Sequence, residues 1–430
     1  MSKKSIVSLV MAMMFVFMAA CGNAAPTGGG GGVASTGIEI TLVNNKVEID
    51  GALRNFATLY EQMFGVRVHI QSFGGETPYV PALAAMLATG AEPEIFVFEG
   101  YADYTTARDS GRLTDLSDQP WVQDTDMAFF DGQGRVVGFP VAVEGWGLGY
   151  NREILQRAGV DPATMTNIDG VRAAFERIES MRDELGLDAV VSMAAGPGMT
   201  WVTGLHAVNA YLSLGLGYED TTIIDMMLAG QVDQARLLAF AEYYDLIFRH
   251  SIRSTLLVGG YDDQLADFAL GRTAFIHQGN WVDPTFAELG VTFEMGLGYV
   301  PHAFLSQHTP GIFVGAPSWY LINARSENIQ AAKDFLNFMA SSPEGHEYMV
   351  VHAGAVPAFL SVAISPEGPL SQAVNEWSSR GQVYAWHQNT MPAGFGMNTL
   401  GPIFELLASG EIDPEGFVRL VSEAVATIPN

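Results

Sequence analysis

"IEITLVNNKVEIDGALRNFATLYEQMFGVRVHIQSF", residues 38–73, reads as strand, helix, strand. "IEITLVNN" alternates like a half-buried strand. Leu53, Phe56, Tyr60 and Met63 then recur at helical spacing, and Gly65 can end that helix. Val66, Val68 and Ile70 alternate again, so the segment predicts a βαβ unit. A second unit follows: Val80 to Thr89 is helix-like and stops at Gly90, and "EIFVF" (94–98) is a short apolar strand ending at Glu99, Gly100 and Tyr101. In open parallel sheets ligands bind beyond the carboxyl ends of strands, which is where Glu99 and Tyr101 fall.

Beyond this, residues 171–185 and 231–249 carry apolar stripes on charged helices, and Ala331, Ala332, Phe335, Leu336 and Met339 share one helical face. No internal repeat has a fixed period. The body from residue 38 to 430 is longer than one hydrophobic core usually serves, so two lobes are expected. "HAGAVPAF" (352–359) and "SPEGPL" (365–370) read as crossings between them. With 48% hydrophobic and 11% aromatic residues, disorder of the body is excluded. A formal charge of −26 argues against nucleic acid or anionic lipid head groups as partners. No long like-charge block appears, so the acidity reads as solubility outside the cell.

The N-terminal region has its own logic. Lys3 and Lys4 precede an apolar run from Ile6 to Met18, the layout of a secretory signal and too short for a bilayer span of ~20 residues. "FMAACGNAAPTGGGGG" (17–32) contains Cys21, the only cysteine of 430 residues. Met18-Ala19-Ala20-Cys21 resembles the lipobox of bacterial lipoproteins, with Met18 where leucine is commoner. That resemblance implies cleavage before Cys21 and its acylation, with no thiol left for a disulfide. Residues 1–20 are then a signal peptide and 21–37 a flexible tether, reaching roughly 20–24 Å at ~5–6 Å × √n.

The longer motifs resemble the extracellular solute-binding proteins of family 1, receptors of carbohydrate ABC importers. "GRVVGFPVAVEGWGLGYNREILQRAGVD" (134–161) is similar to that family's Pro, Glu, Tyr-Asn and helix ending in Ala-Gly. "FALGRTAFIHQGNW" (268–281) is similar to its Phe-x-x-Gly-(Lys/Arg)-x-Ala strand leading to Gly-x-Trp. "NIQAAKDFLNFMASSPEGHEYMVVHAGAVPA" (328–358) resembles its late helix, Ser-Pro-Glu turn and Pro-Ala ending. "LATGAEPEIFVF" carries Pro93-Glu94 where the family usually has Pro-Asp, and the last seventy residues match more loosely. The resemblance implies a two-lobed α/β fold of the periplasmic-binding-protein type with a hinge and an interlobe cleft. Lobe 1 is expected to hold 38–140 and 302–355, and lobe 2 to hold 141–301 and 356–430.

A sugar offers hydroxyl edges and apolar C–H faces, so its site needs carboxylates or amides together with aromatic rings. By resemblance Glu144 takes a polar ligand contact beside the hinge, with Trp146 two residues on. Trp281 matches the Gly-x-Trp aromatic, and Asn280 adds an amide. Glu99, Tyr101, Phe73 and Glu76 come from strand ends of the first lobe, and Trp201, Trp386 and His387 complete the candidate set. Glu144 stands alone in an apolar, glycine-rich run where a solvated face is not expected. Trp121, Trp319 and Trp377 are expected in the core.

Enzyme motifs are missing: there is no Gly-x-Ser-x-Gly elbow, no phosphate loop ending in Gly-Lys-Ser/Thr, and no helical i,i+4 histidine pair for a metal. Neither cofactor nor metal is expected. A glycoside hydrolase or lyase, a receptor for glycerol-phosphate or peptide, and an adhesin or scaffold lipoprotein are the alternatives. The favoured reading is a monomeric, non-enzymatic receptor, lipid-anchored outside the cytoplasm, that captures a sugar by hinge closure and hands it to ABC permease subunits. Acyl chains contribute ~0.8 kcal/mol per buried CH₂. A Cys21→Ala protein is therefore expected to leave the membrane pellet after a salt wash, and its retention there would refute the anchor.

Overall fold

A computed structural model describes residues 35–74 and 79–429. Cys21 and Glu76 lie outside them. Twelve strands are β1 (Glu39–Asn44), β2 (Arg67–Ser72), β3 (Ile95–Phe98), β4 (Phe129–Phe130), β5 (Val136–Pro140), β6 (Glu144–Asn151), β7 (Val191–Ser192), β8 (Phe275–Gly279), β9 (Leu297–Val300), β10 (Ile312–Gly315), β11 (Trp319–Ile322) and β12 (Val383–Tyr384). Among the described residues they form two six-stranded sheets. The first has the order β2-β1-β3-β11-β5-β4; in the second, β12-β10-β6-β8-β7, β9 joins β6.

The opening βαβ unit is built as its periodicity predicts. β1 and β2 pair in parallel, with Glu39 opposite Arg67 and Asn44 opposite Ser72. The helix between them, Asp50–Phe64, buries Leu53, Phe56, Ala57 and Tyr60, and left-handed Gly65 ends it. β3 pairs with β1 on the other side, also in parallel. The carboxyl ends of β1 and β3 are therefore neighbours at the point where the winding reverses, the place such sheets offer to a ligand. The helix Ile329–Ser341 closes over the same sheet with Ala332, Phe335, Leu336, Met339 and Ala340 buried. Phe56 packs against Phe335, Phe338 and Tyr348 with ring centroids at 5.5, 5.6 and 4.7 Å.

Around the second sheet lie helices Ile168–Ser180 and Gln234–Arg249, whose buried faces include Val171, Phe175 and Ile178 in one and Leu237, Phe240 and Tyr244 in the other. Residues 302–355 were expected in the first lobe. β10, within that span, is hydrogen-bonded into the second sheet, antiparallel to β6 with Phe313 opposite Trp146. β11, only three residues later, lies in the first sheet between β3 and β5.

Two chain segments therefore run through both sheets. One passes from β5 through Val141, Ala142 and Val143 into β6; its antiparallel neighbour passes from β10 through Ala316, Pro317 and Ser318 into β11. The Val141 amide donates to the Ser318 carbonyl (3.2 Å) and the Val143 amide to the Val356 carbonyl (2.9 Å), so three crossings lie side by side. Trp121 and Trp319 are buried in the first lobe.

Phe56 is the test of the first lobe's core. Phe56→Ala is expected to cost about 3–5 kcal/mol by leaving a cavity under three rings, measured as a lower midpoint in denaturant titration.

Candidate ligand-binding site

The site begins where β1 ends. After Asn44 the chain turns through Asn45 and Lys46 into a short helical turn, Val47–Ile49, that carries Glu48. Lys46 is only 13% exposed. Its ammonium forms an ion pair with Glu144, the first residue of β6, and stands 3.8 Å from Glu48. Burial opposes the charge of Lys46, but the Glu144 and Glu48 carboxylates outweigh it and hold the ammonium well above its ordinary pKa. Burial raises Glu48 and Lys46 counters it. A side chain of the first sheet's lobe thus meets one of the second sheet's lobe beside the hinge.

Glu99 follows β3. Asn45 donates to its carboxylate, and its own amide donates to Asp103 Oδ2 (3.1 Å). Glu99 keeps solvent-accessible surface, yet the protein around it strips hydration and Asp103 adds repulsion, so its carboxyl is pushed up to about 7. An accessible but poorly hydrated carboxyl is what a cleft wall produces.

The facing lobe supplies rings. Trp281, at the end of β8, folds back over Gly279, where a Cβ would fall 2.0 Å from the indole; this close approach is what the glycine is for. The Trp281 Nε1 donates to Gln278 Oε1 (2.9 Å), which fixes the ring's tilt. Next to it, the π-helical segment Val202–Ala207 holds His206, whose ring lies 4.9 Å from Trp281, 5.3 Å from Trp201 and 5.6 Å from Trp386. Tyr261 extends the group at 5.8 Å from Trp201. Burial lowers His206, helped by His277 and by the Lys46 charge; burial raises Tyr261, helped by Glu48 and Glu144. Trp281, the end of this ring wall, faces the polar strand end that carries Lys46 and Glu48. Between them, beside the hinge, a small crevice opens to solvent, lined by Lys46, Glu48, Glu144, Asn280, Trp281 and Tyr348 among others.

Of the candidates drawn from sequence, Glu144, Asn280 and Trp281 line this crevice, Trp201 and Trp386 pack beside Trp281, and Glu99 is tied to the same strand ends through Asn45. Asn280 is buried in structural bonds: its Oδ1 accepts from the Gly145 amide (2.8 Å) and its Nδ2 donates to Ser371 Oγ (3.1 Å). Trp146 is fully enclosed, stacked on Phe313 at 4.4 Å and flanked by His277 and His302, the surroundings of a core ring. His387 turns away, its Nε2 bonded to the Asp220 carbonyl (2.9 Å). Phe73 packs at the edge of the cluster that includes Phe98 and Trp319. Glu76 and the Tyr101 side chain lie outside what the structure describes. Lys46, Glu48, His206 and Tyr261 were not read from the sequence. Lys46 had a signal: apart from Lys333 it is the only lysine after residue 4, and it sits just past a strand end.

Two α/β bodies joined by a ribbon of crossings, with a polar strand-end face opposite an aromatic one, define a hinged clamp for a small solute. The chain belongs to the bacterial extracellular solute-binding protein family, whose sequence profile matches residues 55–376. It is 21% identical over 354 residues to an uncharacterized ABC transporter extracellular-binding protein of Pyrococcus horikoshii, covering 79% of this chain and 75% of that one. Among solved structures, a chitin oligosaccharide binding protein superposes with a TM-score of 0.71 at 18% identity, over 90% of this chain and 98% of that one. A sugar transporter protein of Bacillus licheniformis in complex with stachyose gives 0.71 at 18%, over 91% and 100%. A binding protein in complex with raffinose gives 0.71 at 15%, over 91% and 99%. At these identities the likeness is one of fold.

The two tryptophans flanking Glu144 and Asn280 separate core from site. Trp146→Ala is expected to lower the melting temperature strongly, a loss of about 3–5 kcal/mol. Trp281→Ala, whose ring edges the crevice, is expected to lose ligand affinity tenfold or more, about 1.4 kcal/mol or above, with a smaller shift in melting. Calorimetric affinity beside thermal midpoint reads both.

Proposed function

We propose that this protein is the extracytoplasmic receptor of an ABC importer, that it closes on a saccharide between its lobes, and that it presents the closed complex to the permease. The observation that carries this reading is the facing of Trp201, Trp281 and Trp386 in one lobe with Lys46, Glu48 and Glu99 in the other. Rings take the C–H faces of a pyranose, while carboxylates and an ammonium take its hydroxyl edges. The solved relatives with stachyose, raffinose or chitin oligosaccharide in their descriptions support a sugar as the ligand class.

The lobes divide at the crossings: 38–140 with 319–352 in one, and 144–315 with 369–429 in the other, following sheet membership. Ligand touching both lobes binds the closed form better and shifts the population toward it. Glu144 is committed to Lys46, which argues against its serving as one of two free carboxylates in glycoside hydrolysis. The receptor reading therefore stands without turnover, and transport energy comes from other chains. No described helix is long and apolar enough to cross a membrane, and acylated Cys21 would supply the anchor. The protein acts as a monomer.

Closure has a structural mark. Gly100, just before the helix Tyr101–Asp109, has φ of 157°, and a Cβ there would lie 2.5 Å from the Asn389 carbonyl of the other lobe. Gly100→Ala is expected to leave the unliganded protein folded but to weaken saccharide binding at least tenfold. The wild type should gain thermal stability with its sugar, about 2.7 kcal/mol at a hundredfold excess over Kd, and shrink in small-angle scattering. A panel of mono- and oligosaccharides that leaves both midpoint and radius of gyration unchanged would overturn the receptor reading.

A further inference from the structure

We propose that His206 is the hydrogen-bonding residue of the aromatic wall, pairing with a hydroxyl of the captured saccharide while the indoles beside it take the sugar's C–H faces. This rests on the saccharide reading above and names a residue that sets its specificity. The imidazole stands among four indoles: the centroids of Trp281, Trp201, Trp386 and Trp146 lie 4.9, 5.3, 5.6 and 5.6 Å away. Trp146, stacked on it, is core, whereas Trp281 edges the crevice, so His206 sits where the core gives way to the cleft. The ring is half-buried, and among the described residues neither of its nitrogens has a hydrogen-bond partner. Nor is either sealed from solvent, as the indole N–H of Trp386 is. Every other buried or half-buried histidine among the described residues is tied down. His277 and His302 bond to Tyr244 and Tyr243, and His250, His308, His346 and His387 to backbone carbonyls.

The backbone is specialised to hold this ring in place. His206 belongs to the π-helical segment Val202–Ala207, which packs against a second one, Phe395–Leu400. A Cβ at Gly204 would fall 2.1 Å from the Gly396 carbonyl oxygen, and one at Gly396 would fall 2.4 Å from the Gly204 carbonyl oxygen. Two glycines thus let the backbones touch. π-Helical turns are rare and recur at functional sites, where they shift the side chains that follow out of α-helical register. The chemistry of the wall leaves the imidazole a distinct task. Indoles only donate, and the Trp281 N–H is already taken by Gln278. Burial first, then His277 and the Lys46 charge, lower His206 to about 3, so the ring is neutral and keeps one donor nitrogen and one acceptor. A sugar hydroxyl can meet either. A fixed polar group beside a stacking face also rejects a sugar that lacks the matching hydroxyl, because closure then leaves that group unpaired.

The test is titration calorimetry with glucose, galactose, mannose, xylose, raffinose, stachyose and chitin oligosaccharides. For the sugar that binds wild type most tightly, His206→Phe, which keeps a ring and removes both nitrogens, is expected to lower affinity tenfold or more, about 1.4 kcal/mol, while the melting temperature holds. One monodeoxy analogue of that sugar is expected to bind wild type tenfold more weakly than its parent, and His206→Phe no more weakly, the coupling that a direct contact produces. Wild type labelled with heavy nitrogen in its histidines gives a reading free of any folding defect: the His206 imidazole nitrogens should shift by several ppm when the sugar saturates. Unchanged affinity in His206→Phe, deoxy losses as large in the variant as in wild type, or imidazole signals that do not move would each overturn the inference and leave the saccharide receptor standing. Absence of binding by every sugar to wild type would overturn both.

Discussion

The rest of the molecule depends on a ribbon of backbone that belongs to both sheets. β5 continues into β6 and β10 into β11, each after three residues, and the two paths are antiparallel neighbours on either side of the break. Buried amides and carbonyls must be paired. The bonds from Val141 to Ser318 and from Val143 to Val356 meet that demand where regular pairing lapses. A narrow ribbon joined by so few bonds can bend without either sheet being disturbed, which is how a hinge between packed bodies works. Every element of the cleft is placed by this arrangement, because the strand ends that point at it are those nearest the break.

Beside the ribbon sits the Lys46–Glu144 ion pair. Such a pair is poor evidence for stability, since desolvation of two charges offsets most of their attraction, yet losing one partner leaves the other buried and alone. Its effect is therefore on geometry: it favours arrangements in which the end of β1 stays against the start of β6. Glu48 shares the ammonium, so the pair is not saturated by Glu144 alone. A ligand entering here meets groups already oriented and partly dehydrated, and the part of its binding cost that would come from ordering them is small.

How much of this could be read from the chain depends on the range of the interaction. The βαβ unit was legible because its periodicity is local: Leu53, Phe56 and Tyr60 declare a helix face, and Val68 and Ile70 a strand. Trp281 was legible because Gly279 precedes it, and that glycine exists to let the ring fold back. Trp146 was misleading at the level of sequence, because strand alternation puts it on the same face as Glu144, and only the long-range packing of Phe313, His206, His277 and His302 around its ring makes it core. β10 was hard to place for a related reason. Only three residues separate it from β11, and nothing local tells a strand which of two sheets will pair with it. His206 and Tyr261 gave no local signal, because their roles come from long-range packing: a π-helical turn brings one to Trp281, and a separate helix brings the other to Trp201.

The two walls of the cleft are held in different ways, and that difference bears on selectivity. The rings are fixed by close backbone approach and by bonds within their own lobe, as with Trp281 over Gly279 and pinned by Gln278. The polar wall hangs on strand ends, where Asn45 donates to Glu99 and the Lys46 ammonium is held by Glu144 and Glu48. A rigid aromatic face sets the shape that can enter; the polar face sets the charge. Among the described residues the lobes meet at the ion pair beside the hinge, where the helix Asp283–Glu288 packs on the Val47–Ile49 turn, and where Gly100 approaches Asn389, so the space among these contacts bounds the ligand that can be enclosed. A longer chain must leave past Asn389 or hold the lobes apart, which makes ligand length and degree of closure one property of the fold.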